Sequence, residues 1–183
     1  QLLAETSGKN AIIVTPSADL DLAAKDVAYS AFGHAGQKCS AASLAVLVGS
    51  VAQSERFRRQ LVDAVEGYAV GMPWEATSRI GPLIGPAEGK LQRALTELEP
   101  GQRLVRQPRK LDDEGRMWTP GIREGVQPGS EFHLAAEMAR EAGAEVLLIE
   151  DARSAIELLR RDGRDLVMID VDLDVSGFIK QWR

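Results

Sequence analysis

The sequence predicts an α/β domain with parallel-type strands and helices packed on both faces. Three observations carry that prediction. Short β-branched runs alternate with stretches whose apolar residues recur at helical spacing. The 183 residues are 44% apolar and 27% charged, the balance of a globular domain long enough to bury a core. Near the C-terminus, strand, helix and strand signals follow one another within about 30 residues, the βαβ arrangement whose strands run parallel with a right-handed crossover.

In chain order, "NAIIVTP" (10–16) reads as a buried strand closed by Pro16. The stretch "SADLDLAAKDVAYSAFGHAG" follows as a helix. Ser17 or Asp19 is its N-cap, and Leu20, Ala23, Ala24, Val27, Ala28 and Ala31 are its apolar face. Gly33 and Gly36 end or loosen it. "SLAVLVGS" (43–50) is a second buried strand. "SERFRRQLVDAVEGY" (54–68) is a helix with Ser54 as N-cap and Phe57, Leu61, Val62 and Val65 on one face. Repeated Gly and Pro between Ala69 and Gly89 predict a long ordered loop. A helix over "KLQRALTELE" comes next, then polar, turn-rich chain to about Ser130.

The texture changes near His133, dividing the chain into residues 1–132 and 133–183. In the second part, "HLAAEMAREAG" and "DARSAIELLRRDG" read as helices ending in Gly143 and Gly163, and "AEVLLIE" and "RDLVMIDV" as strands. Whether the two parts share one sheet is open at this level.

Composition excludes several functions. Net charge is −5, and residues 133–183 hold 7 basic and 11 acidic side chains, so neither part offers a basic nucleic-acid surface. A single Cys rules out an intrachain disulfide framework and Cys-rich zinc sites, and two distant His, His34 and His133, make no metal centre. The first residues lack the pattern of a secretory signal, and no apolar run has the length to span a bilayer. A cytoplasmic protein without membrane contact is the expectation.

The one cysteine lies in "FGHAGQKCSA" (32–41). A lone Cys is ordinarily a small buried hydrophobe, whereas a nucleophile needs exposure and partners that stabilise the charge it creates. The nearest candidate partner is Glu5, opening the turn "ETSGKN" 34 residues upstream. A strand and a helix lie between them, and these can fold back to bring the two together. A carboxylate beside a thiol suits two-stage acyl chemistry, in which a base later activates water against a thioester.

The stretch "ETSGKNAIIVTPSADLDLAAKDVAYSAFGHAGQKCSAASLAVL" resembles the aldehyde dehydrogenase superfamily, in its L-glutamate γ-semialdehyde (1-pyrroline-5-carboxylate) dehydrogenase branch of proline catabolism. An acidic residue opens an E-x-G/S-G-K turn, a G-Q-x-C motif follows at the family separation, and "SRIGPLI" and "WTPGI" come next in family order. The resemblance covers residues 1–132. It implies that Cys39, as thiolate, adds to a small aldehyde, that hydride passes to NAD, and that Glu5 activates the water that hydrolyses the thioester. Gly36 and Gln37 would shape the turn presenting the sulfur, and Ser40 would line the aldehyde pocket.

The family's Rossmann-type cofactor domain, its oxyanion-hole Asn and its E-x-F-G-P motif do not occur in this sequence. The expectation is therefore weak or absent NAD binding by this chain, with apolar surface left to drive self-association. Residues 134–183 resemble instead the middle of a response-regulator receiver domain, which would place Asp170 at the phosphoacceptor position. The acid pair that binds Mg²⁺ in such domains does not occur here. The junction interrupts both resemblances in mid-domain, the pattern of a chimera, a mis-joined reading or an artificially composed sequence alike. A signalling module or a catalytically inert fold stand as the alternatives to an enzyme fragment.

Overall fold

The computed structural model describes residues 10–127, 130, 132, 146–149 and 166–168. Strand β1 (Asn10–Val14) leads into α1 (Leu20–Phe32), and β2 (Ala42–Leu47) returns parallel to β1 with Val14 opposite Leu47. Helix α2 (Glu55–Glu66) follows, then two short strands, β3 (Ala69–Val70) and β4 (Ser78–Ile80), helix α3 (Gly89–Thr96), and strands β5 (Arg103–Arg106) and β6 (Ile122–Glu124). Two further strands, β7 (Val146–Ile149) and β8 (Leu166–Met168), complete the described elements.

Six of these strands make one sheet in the order β5-β6-β7-β2-β1-β8. All its pairings are parallel except β5–β6, which is an antiparallel edge. The parallel-type sheet expected from sequence is thus a mixed one. β7 and β8 join the same sheet as β1 and β2, which settles the question left open above. They are not neighbours, since β2 and β1 lie between them.

β1 and β2 are central because both of their faces are apolar, the pattern of strands covered on two sides. Ile12, Val14, Ala45 and Leu47 pack with Val27, Phe57, Leu61 and Val65 of α1 and α2 in one cluster. Ala11, Ile13, Leu44 and Val46 turn the other way and pack with Ala94 of α3, Val126 and Phe132. The small residues Ala23, Ala24, Ala28 and Ala31 let α1 lie close, and all four are fully buried. Phe57, Leu61 and Val65 of α2 are each 0% exposed, and burying side chains of this size stabilises by about 1.5–3 kcal/mol apiece.

Caps set the helix starts. The Asp19 carboxylate accepts from the backbone N–H groups of Asp21 and Leu22, so Asp19 rather than Ser17 is the N-cap of α1, and Ser54 Oγ accepts from Phe57 N.

Two expectations are corrected. The 69–89 stretch is not loop throughout, because β3 and β4 pair within it as a two-stranded parallel sheet. The turn-rich region to Ser130 contains β5 and β6. That hairpin needs Gly125, whose φ is +74° and where a Cβ would fall 2.2 Å from the Gly101 carbonyl oxygen. On α2, Val62 is half-buried, whereas the charged Arg58 is buried.

Candidate active site

Helix α1 stops at Phe32, and the chain reverses through a tight turn (Gly33–Gly36) in which His34, Ala35 and Gly36 all take positive φ, at 56°, 56° and 68°. Left-handed backbone costs a non-glycine residue roughly 1–2 kcal/mol, so two such residues in a row need support from their surroundings. Ala35 and Gly36 are buried, and Ala35 packs in the core beneath α1.

The support is a clamp built on Gln37. Its side-chain Nε2 donates to the Pro82 carbonyl at 3.2 Å and to the His34 carbonyl at 3.4 Å, while its Oε1 accepts from the Ile84 N–H at 2.7 Å. The amide therefore pairs with the loop at 82–84 much as a strand would. That loop is held in turn. Leu83 N donates to the Arg116 carbonyl at 2.8 Å, and Arg116 Nε donates back to the Leu83 carbonyl at 3.0 Å. The Asp112 carboxylate orders the segment behind it by accepting from the N–H groups of Gly115, Arg116 and Met117. Desolvation pushes the Asp112 carboxyl up, but the three backbone donors outweigh it and hold it below the usual carboxylate range.

Beyond Gln37, the Ala41 N–H donates to the Lys38 carbonyl at 3.2 Å, closing a β-turn with Cys39 and Ser40 at its two central positions. Lys38, Cys39 and Ser40 are exposed. Cys39 stands outside any disulfide. Its exposure removes the reading of this residue as a small buried hydrophobe. A trans peptide points its C=O and N–H in opposite directions. With the Lys38 carbonyl engaged inside the turn, the Cys39 N–H points away from the turn's interior. A second support reaches the same turn from β1, where Asn10 Nδ2 donates to the carbonyls of Cys39 at 2.7 Å and Ala41 at 3.1 Å.

The structure thus brings Gly36, Gln37, Cys39 and Ser40 into one stretch of turns, with Gln37 clamping it to the 82–84 loop. Glu5 and Asp170 lie outside the described residues. Two contributors were given no role from sequence, Asn10 and the 82–84 loop, although the loop lies within the "SRIGPLI" motif. The signal for Asn10 was an amide opening an otherwise apolar strand, a position where a polar side chain needs a partner.

A dinucleotide does not fit either of two cavities found among the described residues. These two cavities hold about 100 Å³, bounded by α3, Arg123 and Phe132, and about 20 Å³, bounded by Phe32, Ala35, Leu83 and Trp118. Cofactor pockets run to roughly 300–1,000 Å³. The N-terminus of α1, the natural phosphate cradle after β1, is already filled by the Asp19 carboxylate. Among the described residues no three His, Cys, Asp or Glu are grouped to hold a metal ion, and no helix is long and apolar enough to cross a membrane.

Comparison with known proteins places these features. Residues 1–145 match the model of the aldehyde dehydrogenase family. The 1-pyrroline-5-carboxylate dehydrogenase of Geobacillus thermodenitrificans is 36% identical over 133 residues, spanning 71% of this chain and 25% of the relative. Malonate-semialdehyde dehydrogenase 2 of Geobacillus kaustophilus is also 36% identical, over 128 residues, spanning 66% of this chain and 26% of the relative. The chain therefore spans about a quarter of these curated relatives. Among solved structures, Proline Utilization A from Corynebacterium freiburgense superposes with a TM-score of 0.79 at 46% identity, over 97% of this chain and 18% of that one. The 1-pyrroline-5-carboxylate dehydrogenase from Thermus with bound NAD superposes with a TM-score of 0.70 at 28% identity, over 97% of this chain and 34% of that one. The receiver resemblance of residues 134–183 gains no support from these comparisons.

Proposed function

The chain belongs to the aldehyde dehydrogenase family, and on that premise we propose that Cys39 is the nucleophile of an aldehyde-oxidising site. The observation that carries the reading is the exposed Cys39 at the tip of a turn braced from two sides, with its own N–H facing outward. The thiolate sulfur bonds to the aldehyde carbon, the carbonyl π pair moves to oxygen, and the Cys39 N–H meets the oxyanion so formed. Ser40, the next residue of the turn, borders the space the aldehyde enters. Glu5 takes the proton of the water that later cleaves the thioester. Asn10 follows Glu5 by five positions, a reach of at most about 18 Å.

The substrate we assign is L-glutamate γ-semialdehyde, oxidised to L-glutamate. The similarity to 1-pyrroline-5-carboxylate and malonate-semialdehyde dehydrogenases supports an aldehyde that also bears a carboxylate.

Oxidation needs a hydride acceptor, which NAD supplies in the Thermus relative's structure. Neither cavity described above has room for it and the N-terminus of α1 is taken by Asp19, and weak or absent NAD binding by the 183-residue chain is the expectation. Isothermal calorimetry checks this, and a micromolar affinity would mean that a cofactor site lies elsewhere in the chain.

The nucleophile itself is tested by iodoacetamide near neutral pH, read by intact mass. Cys39 in the folded chain should react faster than free cysteine. A rate equal to or below that of free cysteine removes the activated thiol from the proposal.

A further inference from the structure

Asn10, the only asparagine in the chain, opens β1 at a place where the backbone ladder fails. The β1–β2 register slips between Asn10 and Ala11, so that Asn10 opposes Ala42 while Ala11 opposes Leu44. The side chain makes the contacts that the slipped ladder does not. Its Nδ2 carries two hydrogens, and it donates to the Cys39 carbonyl at 2.7 Å and the Ala41 carbonyl at 3.1 Å.

We infer that Asn10 is a positioning residue for Cys39: by holding these two carbonyls it keeps the 38–41 turn closed and its oxyanion-facing N–H aimed. The inference rests on the reading of Cys39 as nucleophile. The turn's own hydrogen bond, Ala41 N–H to the Lys38 carbonyl, is 3.2 Å, at the long end of the normal range. Its two central residues are exposed, so packing does not fix them. That bond orients the peptide before Cys39, and Asn10 orients the peptide after it. With both planes fixed, φ and ψ of Cys39 are fixed as well. Gln37 cannot do this, because its contacts run to His34, Pro82 and Ile84 and leave the Cys39–Ser40 peptide untouched.

Two reactions of one sulfur separate aim from mere accessibility. Iodoacetamide alkylation displaces iodide from saturated carbon and forms no oxyanion. Acylation by p-nitrophenyl acetate adds sulfur to a carbonyl, forms an oxyanion, and expels p-nitrophenolate. Both are measured on the full 183-residue chain and on Asn10→Ala and Asn10→Asp, the latter nearly isosteric but without donors. Loss of one whole oxyanion donor costs roughly 10²–10³ in rate. Misaiming it should lower acylation by about 10-fold or more, while alkylation stays within about 3-fold. Asn10→Ser, a shorter side chain that keeps one donor, should recover part of the loss.

An unchanged ratio of acylation to alkylation in folded Asn10→Ala and Asn10→Asp overturns the inference and leaves Asn10 a strand-end contact. Equal losses in both reactions overturn it too, since they report a general disturbance. A parent chain with no Cys39-dependent burst overturns the nucleophile reading, and this inference with it, whereas the variant ratios bear on Asn10 alone.

One measurement needs no substitution. Selective labelling of asparagine side-chain amides gives a single NH₂ pair, that of Asn10. Both protons should be protected from exchange, and their resonances should move when Cys39 is alkylated. Rapid exchange of both would mean that the two carbonyl contacts are not held in solution, and the inference would fall.

Discussion

Cys39→Ala is expected to remove the ester hydrolysis that the proposed nucleophile would carry out in the parent chain without any hydride acceptor. In the proposed cycle, the Cys39 thiolate adds to the acyl carbon of a p-nitrophenyl ester, the oxyanion collapses with loss of p-nitrophenolate, and a thioester remains. Water then attacks that carbon, Glu5 accepts its proton, the C–S bond breaks, and the thiolate is regenerated. The parent should be slow if the Cys39 N–H acts without a second oxyanion donor, since an absent donor costs roughly 10²–10³ in rate. With no other cysteine in the sequence, nothing can replace the lost nucleophile, so burst and steady state should both fall by at least about 10³-fold. Glu5→Gln should keep the burst and slow the steady state by about 10²-fold, the lower range of general-base catalysis. Stopped-flow absorbance of p-nitrophenolate reads both phases. A Glu5→Gln chain with the parent's steady-state rate would take Glu5 out of the mechanism.

Glu124→Ala is expected to cost about 3–5 kcal/mol of stability, the range for breaking a buried ion pair from one side. The Glu124 and Arg58 side chains are 3% and 9% exposed, with Nε 3.2 Å from Oε2, and they join β6 to α2 across 66 residues of sequence. Arg58 also donates to the Ala52 carbonyl at 2.5 Å, and Arg103 approaches the same carboxylate from the surface. Removing the carboxylate leaves a guanidinium in the core without its counter-charge, which neither the Ala52 carbonyl nor the exposed Glu55, 3.7 Å from Arg58, can replace. The double replacement Arg58→Met with Glu124→Leu takes both charges away and should return most of the loss, to within about 1 kcal/mol of the parent. Urea denaturation of the two single variants and the double variant measures this. A Glu124→Ala loss below about 1 kcal/mol would show that the pair contributes little.

That ion pair also shows why part of the fold was hidden in the sequence. β1, β2, α1 and α2 were legible because each carries its own period, and burial follows that period. β6 is three residues, two of them charged, between two Gly- and Pro-bearing stretches, and it reads locally as turn. It is a buried strand because Arg123 and Glu124 find partners far away. Arg123 lies 3.6 Å over the Phe132 ring and donates to Gln102 Oε1 and the Ala94 carbonyl, while Glu124 finds Arg58. β3 and β4 are too short for any alternation to show. In the site, Gly36, Gln37, Cys39 and Ser40 were legible because they are contiguous and form a motif. The supports were not, since Asn10 reaches Cys39 across 29 residues and Gln37 reaches Ile84 across 47. The strands near the C-terminus were visible as apolar runs, but nothing local names the sheet they enter.

Their places in that sheet bear on how the chain folds. The β1–α1–β2 unit closes locally, whereas the rungs on either side of it do not, since Leu44 pairs with Leu147 and Ala11 with Leu166. Loops this long delay the contacts that repay their closure, which puts the sheet among slow-folding, non-local topologies. Until β7 arrives, the β5–β6 hairpin has no sheet to join, and β2 and β6 each present an unpaired edge to any other chain nearby. β2 is the more hazardous of the two, six residues long and wholly apolar but for Ser43. During synthesis those edges wait for the final third of the chain, and a partner that shields β2 over that interval would do most to raise the yield of folded protein.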